Sequence, residues 1–572
     1  MTQNTFPADT VDLADYLLIR LRQLGIQSVF GVPGDYNLRL LDYVTPAGLH
    51  WVGNCNELNA AYAADGYARI NGLSALITTF GVGELSAING IAGAYSERAP
   101  IIHIVGTPPR PLQDNRVTMH HTLTDGDYRH FAAMAAHVTA AQVEVRDAET
   151  APEKIDYALQ QALVHSRPVY IEVPDDIVDV QVSAANLTTK SIALPMAVPA
   201  KHESHVLAQA LERIYAAKQP LILVDGETRS LGLVDQVEKL VKLTSWPTWT
   251  TVFGKGLVNE QLPNVYGHYA ADLGDPQWKA YFDSADLIIV FGPHYSDTNS
   301  QAFAAIPRPS VTISVTHGGI QVGNDIYRDV SRKFVDTLLE HLDSTRLART
   351  AGPPMTANTA DPLDPAGTIT QKHFYRVVNS LLREGDLVLT ETGTAAHGGR
   401  TFKLPPNTRT FGAVTWLSIG YMLPATLGAE LAHRERNRGS PTRSLLFIGD
   451  GSLQMTVQEL STIIQEDLNV IIFIINNGGY TIERAIHGRR QPYNDVAVWK
   501  HPFAFNLFGY DEERSKKSTF SARTWGELDE VLKNPQIQDG TGVRMVEVYM
   551  DREDVEGALL RLMKTQISKE KQ

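Results

Sequence analysis

Cysteine is almost absent from this sequence. Cys55 is the only one among 572 residues. A single thiol forms no disulfide within the chain, and it cannot build the cysteine clusters of structural zinc or iron–sulfur sites. A hydrophobic core must therefore hold the fold together, and the content of 43% hydrophobic residues is that of an ordinary globular protein.

A basic excess and a long apolar run are also missing. The chain carries 51 lysines and arginines against 64 aspartates and glutamates, a formal net charge of −13. No overall positive field is present to attract nucleic acid or an anionic membrane. The most apolar segment, residues 470–475, is far shorter than the roughly 20 residues of a membrane-spanning helix. The first ten residues are polar, unlike a secretion signal, so we expect a cytoplasmic protein.

The length favours several domains, because single hydrophobic cores stop growing beyond roughly 250–300 residues. Two polar stretches that contain proline, residues 183–201 and 344–367, are typical of linkers. They predict three domains, over residues 1–190, 191–355 and 356–572. The first and third domains could share one α/β plan, although the sequence alone does not demonstrate it.

Apolar, β-branched runs alternate with segments of helical periodicity along the whole chain. Residues 10–24 have the periodicity of a helix, for which Thr10 is the predicted N-cap and Gly25 the residue after the last turn. This alternation predicts an α/β protein with three doubly wound parallel-sheet domains. The runs that predict buried parallel strands are residues 28–32, 73–79, 101–106, 168–173, 221–225, 287–290, 311–315, 387–390, 445–448, 470–475 and 543–550.

Small and polar residues follow two of these predicted strands, in the motifs Gly449-Asp450-Gly451-Ser452 and Asn476-Asn477-Gly478-Gly479. Ligands of open α/β sheets bind outside the carboxyl ends of the strands, and N–H groups at a helix start favour phosphate oxygens. Asp450, the amide oxygen of Asn477 and the carbonyl of Gly479 are therefore a candidate Mg²⁺ site that diphosphate oxygens would complete. Each motif taken singly is equally typical of a turn.

The pair of motifs is more specific than either one. Gly449-Asp450-Gly451, 24 intervening residues and Asn476-Asn477 resemble the signature of thiamine diphosphate enzymes. Further stretches extend the resemblance over almost the whole chain, to the pyruvate decarboxylase family of 2-oxo acid decarboxylases. They read FGVPGDYNL at 30–38, NELNAAYAADGYAR at 56–69, TFGVGELS at 79–86, HHTL at 120–123, ETGT at 391–394 and GGYTIER at 478–484.

The resemblance implies a thiamine diphosphate-binding fold, with the pyrimidine on the first domain and the diphosphate and Mg²⁺ on the third. It implies non-oxidative decarboxylation of a 2-oxo acid, with pyruvate as first choice, to an aldehyde and CO2 through a C2 adduct and an enamine. Glu57 would bond to the aminopyrimidine and promote loss of the C2 proton. Proton transfer at the reacting carbon would fall to Asp35, His120, His121 and Glu483.

Further contacts follow from the same resemblance. Ile419 would be the apolar wedge that holds the cofactor bent. The metal ligands would be Asp450, Asn477 and Gly479. The other residues that would touch the cofactor are Thr392, Thr394, Gly451, Ser452, Tyr480 and Thr481. The residues that would line the substrate pocket are Thr298, His397, Ile482 and Ile486.

Three positions depart from the family's pattern. Leu417 stands where glycine is common, and Thr298 and His397 stand where the resembling enzymes have phenylalanine near the substrate. Smaller or more polar walls would admit a larger side chain, so phenylpyruvate, indolepyruvate or a branched-chain 2-oxo acid is the alternative substrate. Residues 224–229 contain no cysteine, so thiol-mediated activation by substrate does not carry over to this chain.

The alternative functions are an acetolactate synthase-like ligase, a thiamine enzyme that oxidises its intermediate, and a cofactor-binding scaffold without turnover. Gly81-Val82-Gly83 lacks the third glycine of a dinucleotide-binding motif. The resemblance also implies a homodimer or homotetramer with active sites between subunits, and no nucleic-acid or membrane partner is expected. A helix near Val555, Leu559 and Leu562 is a hypothesis for a lid over the active-site mouth.

Overall fold

The computed structural model describes residues 9–194, 201–330, 333–355 and 362–570. They form two units. The first takes the described residues up to 194 together with Gly420–Thr442 and Thr456–Leu468, and the second takes the other described residues. No helix in these ranges has the length and apolar character needed to cross a bilayer.

The first third of the chain carries a six-stranded parallel sheet. Its strands and those of a small ribbon are β1 Thr10–Asp12, β2 Ser28–Gly31, β3 His50–Gly53, β4 Ser74–Thr79, β5 Ile101–Thr107, β6 Gln142–Glu144, β7 Val169–Pro174 and β8 Gln181–Ser183. The helices are α1 Leu13–Gln23, α2 Leu38–Leu41, α3 Glu57–Asn71, α4 Val82–Ser96, α5 Arg110–Asp114, α6 His130–Ala135, α7 Ala151–His165 and α8 Ala185–Thr189. The sheet order is β3-β2-β4-β5-β7-β6.

The first helix begins later than the sequence predicts. Thr10 is not its N-cap: it lies in β1, where it pairs with Ser183 of the antiparallel β8. The residue at the N-cap position of α1 is Asp12, whose side chain makes no capping hydrogen bond. The pairing of β1 with β8 therefore places Thr10 in a strand, although the local sequence pattern favours a helix start. At the other end Gly25 follows the helix with a φ of +85°, as predicted.

The middle third carries a seven-stranded mixed sheet. Its strands are β9 Pro220–Val224, β10 Thr248–Thr250, β11 Val265–His268, β12 Leu287–Phe291, β13 Thr312–Thr316, β14 Gly319–Val322 and β15 Asp325–Tyr327. Its helices are α9 Glu203–Ala216, α10 Glu227–Ser230, α11 Val234–Thr244, α12 Pro276–Ser284 and α13 Phe334–His341. In the order β11-β10-β9-β12-β13-β14-β15 the first five strands are parallel, and β14 and β15 add an antiparallel edge.

The last third carries a second six-stranded parallel sheet. Its strands are β16 Leu387–Thr390, β17 Arg409–Phe411, β18 Ser444–Gly449, β19 Val470–Asn476, β20 Thr519–Ala522 and β21 Val543–Tyr549. The helices are α14 Gln371–Val378, α15 Thr394–Gly399, α16 Met422–Arg436, α17 Asp450–Thr456, α18 Leu460–Gln465, α19 Thr481–Ile486, α20 Ala504–Phe508, α21 Glu512–Ser518, α22 Trp525–Lys533, α23 Pro535–Gln538 and α24 Gly557–Glu570.

The two six-stranded sheets share one topology. The last sheet has the order β17-β16-β18-β19-β21-β20. Numbered along the chain within each sheet, both orders read 2-1-3-4-6-5. The α/β architecture is confirmed, and the shared plan that the sequence only suggested is present. In both sheets the strand order reverses beside the strand that comes first in sequence. Ligands of such sheets bind at the carboxyl ends of the strands near that point.

Helices α3 and α16, both in the first unit, pack closely through two glycines. A Cβ atom added at Gly66 would lie 2.1 Å from the carbonyl oxygen of Ala425, and one at Gly428 would lie 1.8 Å from that of Ala63. No side chain fits at either position. The contact fixes the axis of α3, whose first residue is Glu57.

Gly428→Ala is expected to lower the free energy of unfolding by about 1–3 kcal/mol, because the added methyl group must push two helix backbones apart. Urea denaturation measures the change. Gly53→Ala is the matched control, since its added Cβ would meet only Trp51 Nε1 at 3.5 Å. Equal denaturation midpoints for Gly428→Ala and the parent protein would contradict the close packing of α3 on α16.

Candidate active site

Asp35, His120 and His121 converge in the first unit. Asp35 follows β2, and the two histidines follow β5 and α5. Asp35 Oδ2 lies 2.5 Å from His120 Nε2, and Asp35 Oδ1 lies 4.0 Å from His121 Nε2. One carboxylate thus faces two imidazoles, and all three side chains are at least partly accessible to solvent. Such a group can store a proton and pass it on.

Buried neighbours that the sequence analysis did not single out hold this histidine pair. The ring of Tyr36 stacks on that of His120, with 4.9 Å between centroids. Gly81 lies so close to His121 that an added Cβ would be 2.3 Å from the His121 carbonyl oxygen. The Gly81 N–H donates to Glu84 Oε1 over 2.8 Å, and the hydroxyl of Tyr170 donates to Glu84 Oε2 over 2.7 Å. Burial raises the pKa of Glu84 to about 7.

Glu57 is the first residue of α3. Asn56 caps that helix, and its side chain accepts the N–H of Asn59 over 2.8 Å. The Glu57 carboxylate lies against Gly83, where an added Cβ would be 3.0 Å from Oε1. Among the described residues it has no hydrogen-bond partner. The carboxylate is therefore available to a ligand, and Gly81-Val82-Gly83 serves close approach to His121 and Glu57 rather than dinucleotide binding.

Glu459 is a further residue that the sequence analysis missed. It is fully buried in the first unit. Its Oε1 accepts from Asn54 Nδ2 over 2.7 Å, and its Oε2 accepts from Asn59 Nδ2 over 2.8 Å. One carboxylate thus ties down both sides of the turn that presents Glu57. No specific sequence signal marks Glu459, because polar residues such as Gln458 and Ser461 surround it in the sequence.

In the second unit, the Asp450 carboxylate, the Asn477 side-chain amide and the Gly479 carbonyl come together. One end of that amide, which is its oxygen when the amide is turned toward a cation, lies 3.3 Å from Asp450 Oδ1 and 2.8 Å from the Gly479 carbonyl oxygen. Adjacent oxygens of octahedral Mg²⁺, each about 2.1 Å from the metal, lie about 3 Å apart. These groups therefore fit the cation. Without a cation, turning the amide through 180° lets its nitrogen donate to the same two oxygens, so a cation selects one of two rotamers.

The loops around these oxygens are tied to each other. Asp450 Oδ2 accepts the N–H of Gly478 over 2.8 Å, which links the end of β18 to the end of β19. Burial raises the pKa of Asp450 to about 6. The ring of Tyr480 covers Gly451, where an added Cβ would meet it at 2.5 Å, and one at Gly479 would lie 2.1 Å from the Asn494 carbonyl oxygen. Both glycines are required for this approach.

Hydroxyl groups lie at the carboxyl ends of the same strands. Thr392 follows β16, and its Oγ1 is buried with no hydrogen-bond partner among the described residues. Such an orphaned group is costly unless a ligand satisfies it. Ser452 and Thr394 are buried at the starts of α17 and α15. Thr481 is also buried, and its hydroxyl donates to the Arg552 carbonyl over 3.0 Å.

Leu417 and Ile419 lie on the loop before α16. Ile419 is half-buried, as an apolar contact for a ligand requires. Leu417 has a φ of +53°, in the left-handed region, where a residue with a side chain is strained by roughly 1–2 kcal/mol. The structure thereby explains why glycine suits this position. In this chain leucine adopts the same backbone conformation under strain.

Helix α19 carries Glu483, which is exposed, together with Ile482 and Ile486. Ile482 packs against a cluster that includes Val555 and Leu559. The C-terminal segment therefore does form a helix, α24, and it packs on the helix that bears Glu483. Its role as a lid stays a prediction.

One of the residues predicted to line the substrate pocket borders a cavity in the described part of the chain. His397 lines a cavity of about 290 Å³ in the second unit, together with Arg400. Thr298, Ile482 and Ile486 do not line it; the hydroxyl of Thr298 donates to the carbonyl of Val414. Burial and the charge of Arg400 lower the pKa of His397 to about 3, so its imidazole is neutral at physiological pH.

Comparison with known proteins gives consistent results along the chain. Models of the thiamine pyrophosphate enzymes match at residues 11–131 for the N-terminal TPP binding domain, 207–338 for the central domain and 391–507 for the C-terminal TPP binding domain. The chain is 51% identical to a pyruvate decarboxylase of Aspergillus parasiticus, over 98% of both chains. It is 38% identical to pyruvate decarboxylase isozyme 1 of Saccharomyces cerevisiae, over 94% of this chain and 95% of that one.

A solved structure shows the same fold at much lower identity. It is the thiamine diphosphate-dependent 4-hydroxybenzoylformate decarboxylase of Rhodococcus jostii, with a TM-score of 0.76 and 18% identity, over 94% of this chain and 99% of that one. The full-length identity to the fungal enzymes, rather than this likeness of fold, decides the family. The chain belongs to the pyruvate decarboxylase family of thiamine pyrophosphate enzymes.

Proposed function

We propose that this protein is a thiamine diphosphate-dependent decarboxylase that converts pyruvate to acetaldehyde and CO2. In that reaction the bond between C1 and C2 of pyruvate breaks, CO2 leaves, and a proton takes its place on C2. The observation that carries the proposal is the convergence of Asp450, Asn477 and Gly479 in an arrangement that a cation completes. The relatives named pyruvate decarboxylase supply the choice of substrate.

When bound, thiamine diphosphate would supply a nucleophilic carbon and a ring that accepts the electrons left behind by CO2. Asp450, Asn477 and Gly479 would hold Mg²⁺ and through it the diphosphate, and the free hydroxyl of Thr392 would donate to the cofactor. Glu57 would share a short, charge-assisted hydrogen bond with the aminopyrimidine. Its carboxylate suits this role because no described residue forms a hydrogen bond with it. The hydrogen bonds from Asn54 and Asn59 to Glu459 hold the start of its helix in place.

Asp35, His120 and His121 would deliver the proton that replaces CO2. The contact of 2.5 Å between Asp35 and His120 lets a single proton be held between a carboxylate and an imidazole. His121 lies on the other oxygen of the same carboxylate, so the group can be recharged from solvent after each turnover. Glu483, exposed on α19, would act as the second acid of this set.

Larger 2-oxo acids are the second candidate substrates. Thr298 and His397 have smaller or more polar side chains than the phenylalanines of the resembling enzymes, and His397 borders a cavity of about 290 Å³. Phenylpyruvate or indolepyruvate would need such space. Mg²⁺ as the metal, assembly as a homodimer or homotetramer with active sites between subunits, the three domain boundaries and a cytoplasmic location are proposed on the same family resemblance.

Glu57→Gln is expected to lower kcat by about 10²–10⁴-fold, because the amide keeps the shape but cannot share the proton. Steady-state assays measure turnover, and calorimetric titration with thiamine diphosphate should still show binding. Glu153→Gln is the matched control, since Glu153 is likewise a first-turn glutamate of a helix in the first unit. Turnover of Glu57→Gln at the parent rate would remove Glu57 from the mechanism.

Removal of divalent cations with EDTA is expected to abolish activity, and Mg²⁺ or Mn²⁺ should restore it. Asp450→Asn should lower the affinity for the cation by at least about 10-fold, because a charged oxygen ligand is replaced by a neutral one. Calorimetric titration with Mn²⁺ in the presence of thiamine diphosphate measures this affinity. Asp539→Asn, at an exposed aspartate, is the control. Full activity of the EDTA-treated protein would refute the metal site.

Pyruvate is expected to give the highest kcat/KM among pyruvate, phenylpyruvate, indolepyruvate and 2-oxoisovalerate. Replacing both Thr298 and His397 by phenylalanine should lower kcat/KM for phenylpyruvate by about 10–200-fold relative to pyruvate, because the larger rings fill the space. Product assays for acetaldehyde and acetolactate run in parallel. A preference of the parent protein for phenylpyruvate would assign it to the alternative substrate class, and acetolactate as main product would assign it to the ligases.

A further inference from the structure

The group formed by Asp35, His120 and His121 has the composition of a transition-metal site. Two imidazoles and one carboxylate are a donor set that binds Zn²⁺ and related ions in proteins. Each side chain offers one ligand atom, and the three atoms lie within 4.8 Å of one another. In the ranges that the structure describes, no other three histidine, cysteine, aspartate or glutamate side chains come so close. The Mg²⁺ proposed above is held by other residues, so this group is a candidate for a second metal ion.

The distances within the group are close to those that a tetrahedral ion requires. Ligand atoms at about 2.0–2.1 Å from Zn²⁺ lie roughly 3.3 Å apart in a tetrahedron. Asp35 Oδ2 lies 2.5 Å from His120 Nε2, and Asp35 Oδ1 lies 4.0 Å from His121 Nε2. These two distances lie on either side of the required one, so small rotations of the side chains accommodate the ion.

His120 is oriented by a neighbour outside the group. The Tyr36 hydroxyl lies 3.3 Å from His120 Nδ1 and 3.4 Å from the His120 carbonyl oxygen, so it can donate to the carbonyl and accept from Nδ1–H. The lone pair of Nε2 then faces the Asp35 carboxylate, and two acceptors 2.5 Å apart need a cation between them. A proton meets that need, and so does a metal ion. A hydrogen bond at the other ring nitrogen is usual for a metal-binding histidine.

His121 is held in place through its backbone. Its φ is +66°, in the left-handed region, which is uncommon for a residue with a side chain. Gly81 packs against it so closely that an added Cβ would lie 2.3 Å from the His121 carbonyl oxygen. Such a conformation persists only where the surrounding structure imposes it. The position of His121 beside Asp35 is therefore built into the fold.

Solvent reaches all three side chains. The exposed fractions are 49% for Asp35, 54% for His120 and 30% for His121. An ion therefore has a path of entry, which a metal site needs. Water can fill the coordination positions that the protein leaves open.

The donor atoms decide which ion binds. Imidazole nitrogen suits Zn²⁺ and Cu²⁺, whereas Mg²⁺ prefers oxygen ligands and Mn²⁺ is bound most weakly among the divalent first-row ions. Zn²⁺ should therefore select the two histidines and leave the oxygen atoms of Asp450, Asn477 and Gly479 to Mg²⁺.

We propose that Asp35, His120 and His121 bind one Zn²⁺ ion and that this ion inhibits the enzyme. Zn²⁺ displaces the proton held between Asp35 and His120 to solvent and takes the lone pairs through which these side chains exchange protons. The binding follows from the geometry of the group. The inhibition rests on the proposed function, in which the same side chains deliver the proton that replaces CO2.

The test is calorimetric titration with Zn²⁺ of the protein loaded with thiamine diphosphate and excess Mg²⁺. One Zn²⁺ should bind per chain, and additional Mg²⁺ should not displace it. His120→Gln and His121→Gln should each lower the affinity for Zn²⁺ by at least about 10-fold, because each removes a ligand and even the outer contacts of a ligand are worth that much. X-ray absorption at the zinc edge should show scattering from two imidazoles.

His130→Gln is the matched control. His130 is also a histidine of the first unit beside carboxylates, 2.7 Å from Asp125 and 4.0 Å from Asp127, but it lies outside the proposed site. The affinity of this variant for Zn²⁺ should equal that of the parent. Zn²⁺ should inhibit turnover of the parent and of His130→Gln over the concentration range in which it binds, and additional Mg²⁺ should not restore turnover.

Glu57→Gln should bind Zn²⁺ as the parent does, so a failure of the proposed function leaves the binding test intact. Undiminished affinity for Zn²⁺ in His120→Gln and His121→Gln would overturn the proposal. So would the absence of binding, displacement of Zn²⁺ by Mg²⁺, or a zinc-edge spectrum without two imidazoles. Full turnover of the parent with Zn²⁺ bound would overturn the inhibition.

Discussion

The candidate site depends on the convergence of three polar groups of the second unit, which are the Asp450 carboxylate, the Asn477 side-chain amide and the Gly479 carbonyl. Asp450, Asn477 and Gly479 approach one another within contact distance at the ends of β18 and β19, where only a cation or a rotated amide makes the arrangement favourable. Three glycines make this close packing possible. Gly451 leaves room for the ring of Tyr480, Gly479 packs against the Asn494 carbonyl, and the N–H of Gly478 donates to Asp450.

The first unit uses close backbone contact in the same way, around the residues proposed to transfer protons. Gly81 packs against the His121 carbonyl group and Gly83 packs against the Glu57 carboxylate. One short turn therefore supports both residues. Buried carboxylates hold the ends of this arrangement, Glu84 at Gly81 and Glu459 at the start of α3. Because each carboxylate is buried, loss of either partner would leave an unsatisfied polar group, and the geometry is correspondingly rigid.

The sequence predicts the interior of the fold better than its margins. Each of the eleven predicted strands is present, because strands buried on both faces read as continuous apolar runs. The strands that were missed are short ones at or near sheet edges, such as β3, β6, β17 and β20, together with the ribbon that takes Thr10 away from α1. At the site, motifs located Asp450 and Glu57, whereas Glu84 and Glu459 are recognised only by contacts distant in sequence. Neither composition nor periodicity predicts the positive φ of Leu417.

The most direct test of the account is a crystal structure of the protein grown with thiamine diphosphate and Mn²⁺, with anomalous diffraction data that locate the metal. The account predicts one strong anomalous peak about 2.2 Å from Asp450, the Asn477 amide oxygen and the Gly479 carbonyl oxygen, with the diphosphate as further ligand. Asp35, His120 and His121 form the competing group, because their ligand atoms all lie within 4.8 Å of one another. A peak there, with none at Asp450, would contradict the central claim.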